Sequence, residues 1–300
     1  MIIGLDVGFG RTKIITEKEK LSFPTWVAKH TPSADEEVET ISLFGENYVI
    51  GQDAKYERNL IEISDIKEYI KYLPLFLKFI QKKFLEESER LFIITGLPPR
   101  HKEHAAGVEE IIKETGAAGK VIPQGMGIFF DTKEKVEGTE DILIIDIGYN
   151  TLDYIMLVRD RTKAVGYRKR KSNTIENFGI NRAVYEFRNQ MEDGYIKDLP
   201  LTKLNEIFIK GQGRVFAEKI DFTKQRQRAI TAYAEMLTGR LKTEVGDFIN
   251  SVETIVIAGG GARFITGEHI GRPDAIIPEE PEFSQARGYY KFGLITGEKE

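Results

Sequence analysis

The sequence predicts an α/β protein made of two related halves. Three observations carry that expectation. Short apolar runs alternate with stretches of helical period along the chain. A strand-like run ending in Asp6-Val7-Gly8-Phe9 returns as Asp146-Ile147-Gly148-Tyr149. The 300 residues suffice for two domains at roughly 150 residues each.

The elements follow in order. Met1–Val7 is apolar, Gly8-Phe9-Gly10 is a turn, and Thr12–Thr16 is a return strand. Leu21–Val27 reads as one further strand, with Trp26 as packing. Ile41–Ile50 reads as a hairpin turning at Gly45-Glu46-Asn47. Across 62–88 the period changes: Ile63, Ile66, Ile70, Leu73, Leu77, Ile80 and Phe84 line one helical face, and Pro74 should kink or divide it. Leu91–Thr95 is a strand stopped by Gly96-Leu97-Pro98-Pro99, and a helix spans about 102–115. Lys120–Pro123 is a strand, followed by an apolar, Gly-rich segment from Gln124 to Phe130. Ile142–Ile145 and Thr151–Val158 form a second hairpin around Gly148. Helices are expected at about 175–192, 200–210 and 224–250, leaving Arg168–Lys171 on a loop. Thr254–Ala258 is the last strand, running through Gly259-Gly260-Gly261 into a helix. A final amphipathic helix spans about Ser284–Ile295.

Composition excludes several classes. There are no cysteines, so disulfides, thiolate nucleophiles and cysteine-ligated zinc are ruled out. The net charge of −4 is a poor match for a direct nucleic-acid binder, which carries a basic surface. Apolar runs fall short of the roughly 18 residues a membrane span needs. Met1-Ile2-Ile3-Gly4-Leu5-Asp6 lacks a basic region and a cleavage site, so a cytoplasmic protein is expected. No Gly-, Ser- or Pro-rich linker divides the chain. His30, His101, His104 and His269 show no shared metal spacing, and His101 and His104 three residues apart do not make a site alone.

The repeated Asp-Val/Ile-Gly-aromatic segment carries the chemistry. An Asp ending an apolar strand is costly to bury unpartnered. The following Gly lets backbone N–H groups approach an anion. Such a carboxylate suits hydrated Mg²⁺, and Lys13 adds a positive charge for phosphate. The strand before Gly259-Gly260-Gly261 could bring a helix N-terminus to phosphate. The G-x-G-x-x-G and G-x-x-x-x-G-K-[ST] fingerprints are both absent.

These residues resemble the actin-like ATPases. Asp6–Lys13 is similar to the first phosphate motif, Asp146–Asp153 to the second, and Ala258–Arg263 to the adenosine motif. Within the superfamily the chain resembles the plasmid-segregating ParM/StbA proteins and short archaeal actins. Thr95-Gly96-Leu97-Pro98, Val121-Ile122-Pro123-Gln124 and Pro281–Gly288 add local likeness, in order along the whole chain.

The resemblance implies an actin-like fold: two duplicated α/β domains around a nucleotide cleft, 1–145 plus 283–300 and 146–282. It implies ATP (or GTP) and Mg²⁺ as cofactors. Asp6 and Asp146 would hold the metal. Gly8, Phe9, Gly10 and Arg11 would turn backbone N–H groups to phosphate beside Thr12, and Lys13 would pair with the β- or γ-phosphate. Gly148, Tyr149, Asn150 and Thr151 would repeat this in the second hairpin. Gly259, Gly260 and Gly261 would border the α-phosphate and adenosine, Arg263 would join them in binding the cofactor, and further adenine contacts would come from the second domain around Lys224 and Gln225. Gln124, with Asp6 and Asp146, would be catalytic, orienting the attacking water. Asp153 is either a second polar group near the metal or an ordinary hairpin residue. Self-association into filaments is implied, with any DNA cargo held through an adaptor. A non-polymerising scaffold and a small-molecule kinase are the alternatives, the kinase weakened by the absence of D-x-G-H and of cysteine. The acidic end Gly297-Glu298-Lys299-Glu300 argues against a membrane anchor.

Overall fold

In the computed structural model the described residues are all except 33–37, 64, 85–89, 193, 216–217 and 298–300. The acidic end 298–300 thus lies outside the described residues. The chain divides into two units, 1–133 with 283–300, and 134–282. The first boundary falls before 145/146, because the strand beginning at Asp141 pairs, among the described residues, with strands of the second unit.

In the first unit β1 (Ile2–Val7) turns into β2 (Arg11–Ile15), and β3 (Lys20–Pro24) pairs with β2. The expected single strand Leu21–Val27 is two strands in two sheets. The break falls at Pro24, which has no N–H for a ladder, and Thr25, whose N–H goes to the Gly10 carbonyl instead. β4 (Trp26–Lys29), β5 (Ile41–Leu43), β6 (Glu46–Ile50) and β7 (Leu60–Glu62) form a four-stranded sheet in the order β5-β6-β4-β7. Its hairpin turns at Phe44-Gly45, both at positive φ, one residue earlier than expected.

Helix α1 (Ile66–Phe84) runs unbroken through Pro74. An interior proline costs about 3 kcal/mol. Leu73, Leu75, Phe76 and Leu77 beside it are fully buried, at about 1.5–3 kcal/mol each, so packing wins. β8 (Phe92–Leu97) and β9 (Ala118–Pro123), separated by α2 (Ala105–Glu114), complete a five-stranded sheet in the order β3-β2-β1-β8-β9. The apolar, Gly-rich segment from Gln124 leads into α3 (Met126–Val136). Its Gly127 lies against Gly288 of the C-terminal helix (Ser284–Thr296), so close that a Cβ on Gly288 would overlap the Gly127 carbonyl. The glycines there serve contact between two helices rather than a turn. Asp131 fastens the same helices, accepting from Ser284 Oγ at 2.7 Å and from Arg287 Nε at 2.7 Å. Burial alone would raise its carboxyl; Arg287, Ser284 and Lys291 override that and hold it below the usual range.

The second unit repeats the plan. β10 (Asp141–Ile147) and β11 (Thr151–Arg159) form a hairpin, and β12 (Tyr167–Glu176) pairs with β11. β12 is a correction: Arg168–Lys171 sit on an exposed edge strand, not on a loop. Four consecutive cations hide its period, and basic residues are a common device against edge-to-edge pairing. The expected helix at 175–192 shrinks to α4 (Asn181–Asn189). α5 (Gly194–Lys197), α6 (Leu201–Lys210) and the hairpin β13 (Gln212–Val215) with β14 (Glu218–Asp221) follow. The expected 224–250 helix is α7 (Thr223–Val245) and α8 (Phe248–Ser251), separated at Gly246, where φ is +61°. β15 (Thr254–Ala258) runs parallel to β10, giving the order β12-β11-β10-β15. Each unit buries its own core, around Leu5, Phe76 and Ile93 in the first and Ile145, Phe187 and Tyr233 in the second.

Candidate functional site

The two hairpins match residue for residue. In the first, Asp6 stands opposite Lys13 and Val7 opposite Thr12; in the second, Asp146 stands opposite Asp153 and Ile147 opposite Leu152. Each turn is closed by the Gly amide. Gly8 N–H donates to the Arg11 carbonyl at 3.2 Å, and Gly148 N–H to the Thr151 carbonyl at 2.9 Å. These two amides close their turns. Phe9 and Gly10 form the tip of the first turn, Tyr149 and Asn150 that of the second. Phe9 and Tyr149 pack their rings against their own unit's core, so only their backbones stand at the tips.

Both turns sit where a parallel α/β sheet places ligands, beyond the carboxyl ends of its strands. In the first unit β1, β8 and β9 run parallel, and their ends carry residues 8–11, the 3-10 segment Pro99–His104 and Gln124. Gln124 is half-buried in the turn before α3, and its N–H donates to the Leu97 carbonyl at 2.8 Å. In the second unit β10 and β15 run parallel, and their ends carry residues 148–150 and 259–261.

The first hairpin holds an internal ion pair. Lys13 Nζ donates to Asp6 Oδ2 at 2.8 Å, with the two side chains 15% and 8% exposed. Such burial makes either partner expensive to leave alone. A Cβ on Gly8 would come within 3.2 Å of Lys13 Nζ, so the glycine keeps the ammonium beside the turn. Thr25, which no pattern in the sequence singles out, braces the turn: its hydroxyl donates to the Gly8 carbonyl at 2.6 Å and lies 3.0 Å from Thr12 Oγ1. Thr12 is thus a buried brace. The Arg11 side chain bends to Ser22, donating to Oγ at 2.8 Å and to the carbonyl at 3.0 Å. Burial, with the Asp6 charge adding to it, pushes the Tyr69 phenol above its ordinary range.

The second hairpin is held differently. Asp153 is buried and accepts from Thr151 Oγ1 at 2.9 Å and Thr174 Oγ1 at 2.5 Å. The turn carbonyls receive a run of amides: Phe178 and Gly179 to Asn150, Ile180 to Gly148, Asn181 to Tyr149. Asn181 Nδ2 also donates to Asn150 Oδ1 at 2.9 Å. The sequence signal for this clamp is Gly179, where a Cβ would lie 2.3 Å from the Tyr149 carbonyl oxygen.

Gly259 lies directly on Asp146. Its φ is +84°, and a Cβ there would fall 2.2 Å from Asp146 Oδ1. Gly261 packs as closely on Ile147 Cγ2, whereas Gly260 faces open space. The chain then forms a short 3-10 turn, Gly260–Arg263, and not the expected α-helix. A turn of that length carries little helix dipole, and what Gly259 permits is the close approach to Asp146. Arg263 forms an ion pair with Glu282. Lys224 and Gln225 lie in the first turn of α7, where Asp221 accepts from Thr223.

Two family models match the chain, one on each half. Residues 4–127 match the N-terminal domain of actin-like proteins. Residues 144–269 match the C-terminal domain of archaeal MreB-like actin homologues. The chain is an actin-like protein. Solved structures share its fold from end to end. Ta0583, an archaeal actin homologue, superposes with a TM-score of 0.78 at 17% identity, covering 98% of this chain and 99% of that one. A structure of Ta0583 in complex with ADP gives 0.74 at 15% identity, with the same coverage. ParM from a 15-stranded Clostridium botulinum filament gives 0.77 at 19% identity, again covering 98% and 99%. No curated protein matches the sequence. Among the described residues no helix is long and apolar enough to cross a membrane.

Proposed function

We propose that this actin-like protein is a nucleoside triphosphatase whose Mg-ATP (or GTP) hydrolysis is coupled to assembly into filaments. The observation that carries the reading is the duplicated hairpin. An Asp ends the first strand of each, a closed Gly turn follows, and both stand at the carboxyl ends of parallel strands.

The residues fit the cofactor. Asp6 and Asp146 offer the hard carboxylate oxygens that Mg²⁺ prefers. The glycine at 8 leaves room beside Lys13, and Gly259 leaves room against Asp146. Bound Mg²⁺ would neutralise phosphate charge. Lys13, held beside the turn by Asp6, would pair with the β- or γ-phosphate, with the backbone N–H groups at Phe9 and Gly10 turned to phosphate. Tyr149, Asn150 and Thr151 would offer the matching contacts of the second hairpin. Gln124 orients the water that attacks. Gly259, Gly260 and Gly261 border the adenosine. Arg263 acts there by holding Glu282 beside the glycine turn. The ADP complex of Ta0583 supports adenine nucleotide binding, and the ParM filament supports self-association. A role in DNA segregation would use an adaptor protein, since the chain's net charge is −4.

Sedimentation and phosphate release with Mg-ATP and Mg-GTP test the reading together. Pelleting that follows nucleotide and release that follows pelleting are expected. Hydrolysis without assembly would instead identify a non-polymerising scaffold, and neither activity would overturn the proposal.

A further inference from the structure

The 3-10 segment Pro99–His104 carries a cluster that nucleotide chemistry does not use. One ligand atom each from His101, Glu103 and His104 lies within 4.8 Å of the others. Sequence spacing alone gave no reason to group them. The segment is two short turns joined at a kink, and the residue at the kink is His101 itself, with φ −112° and ψ 20°. The two imidazoles come to 6.3 Å between ring centres. Glu103 Oε1 stands 3.7 Å from His104 Nε2.

The chain's other two histidines are occupied. His30 Nδ1 is 2.7 Å from Glu57 Oε1. His269 Nδ1 accepts from the Thr266 N–H at 3.1 Å, inside a capping box. His101 and His104 face each other instead.

We propose that His101, Glu103 and His104 bind a divalent transition-metal ion of the zinc class, with water completing the shell. Two imidazoles and a carboxylate are the donor set of open four-coordinate zinc sites. Ligand atoms in such a site lie roughly 3.3–3.5 Å apart, from bonds of about 2.0–2.2 Å. Side-chain rotation covers the small remaining closure, because Glu103 and His104 are both well exposed. Mg²⁺ and Ca²⁺ are poor occupants, since they demand oxygen ligands. Arg100 and Lys102 flank the cluster, which disfavours a purely electrostatic cation site and leaves coordination bonds to the imidazoles as the source of affinity.

The test uses the full chain without a histidine tag and without nucleotide. Zn²⁺ is titrated calorimetrically, and Co²⁺ by its visible absorption, in excess Mg²⁺ to fill the Asp6 and Asp146 carboxylates. One equivalent bound, with an intense four-coordinate Co²⁺ band, is expected. His101→Ala and His104→Ala should each weaken binding by about tenfold or more, with melting of the metal-free chain unchanged; Glu103→Gln should fall between. These residues lie on exposed or half-exposed backbone, so the variants should fold. No stoichiometric binding, or equal affinity in the double histidine variant, would overturn the assignment.

Discussion

The first hairpin and the second share a register and differ in charge. At the position across from the strand-ending Asp, the first carries Lys13 and the second carries Asp153. The first is therefore a closed ion pair, Asp6 with Lys13. The second holds two carboxylates, with Asp153 satisfied by two threonine hydroxyls and Asp146 covered by Gly259. One duplicated scaffold has thus acquired two electrostatic characters. A hairpin with its own ammonium suits phosphate. One with two carboxylates and no lysine at the matching position suits a cation. On the function proposed above, the charge difference would weight the first hairpin toward phosphate through Lys13 and make Asp146 of the second the stronger of the two carboxylates for the metal.

The largest expected effect is Asp146→Ala. Turnover should fall on the order of 10²–10³-fold, while circular dichroism and melting change little. Unchanged turnover would remove the second hairpin from the chemistry. Gly259→Ala should reach a similar loss by another route. A Cβ at a φ of +84° and 2.2 Å from Asp146 Oδ1 should cost about 2–5 kcal/mol of stability, visible as a lower melting temperature. A variant melting like the wild type would show that this close contact is wrong. Lys13→Ala comes next. It removes a charged hydrogen bond of about 1.5–3 kcal/mol, and nucleotide affinity should weaken by about 10–100-fold. Asp153→Asn keeps one acceptor oxygen and turns the other atom into a donor that a threonine hydroxyl can accept, and should stay within about threefold of wild type in affinity. If the two variants behaved alike, the comparison between the hairpins would fail.

Asp131 supplies a control away from both hairpins. Asp131→Asn should destabilise by about 2–3 kcal/mol and leave turnover at low temperature intact. Its carboxyl is held below the usual range in the folded chain. The unfolded chain therefore takes up its proton first as pH falls. The stabilisation is full above the ordinary carboxylate value of about 4 and fades as pH drops through the folded value. Melting curves of both forms should converge under acid, and a gap that persisted there would contradict the pairing. Gly260→Ala is the smallest. Nothing lies within 4 Å of its Cβ, so melting should not move, and any effect should be confined to nucleotide affinity.

Much of the fold is legible in the sequence because the hairpins and their neighbours bury apolar strands. Ile3, Leu5, Ile144 and Ile257 announce themselves by period and context. The echo of Asp6 in Asp146 is enough to locate both turns. The hidden elements depend on long-range partners. The start of α3 reads only as an apolar, Gly-rich segment, with no element assigned, until the C-terminal helix is laid against Gly127. β12 is masked by four cations on a sheet edge. Thr25 and Thr174 brace turns far from them in sequence, and no local pattern marks either. The glycines at 259 and 261 stand out as phosphate neighbours, yet the contacts that require them are to Asp146 and Ile147.

The most direct test of the division between hairpins is ATP binding by calorimetry with and without Mg²⁺, in wild type, Lys13→Ala and Asp146→Asn. The division predicts that Lys13→Ala weakens ATP in both conditions, whereas Asp146→Asn leaves Mg-free affinity nearly intact and loses the gain that Mg²⁺ brings. Equal losses in both variants, independent of Mg²⁺, would contradict it.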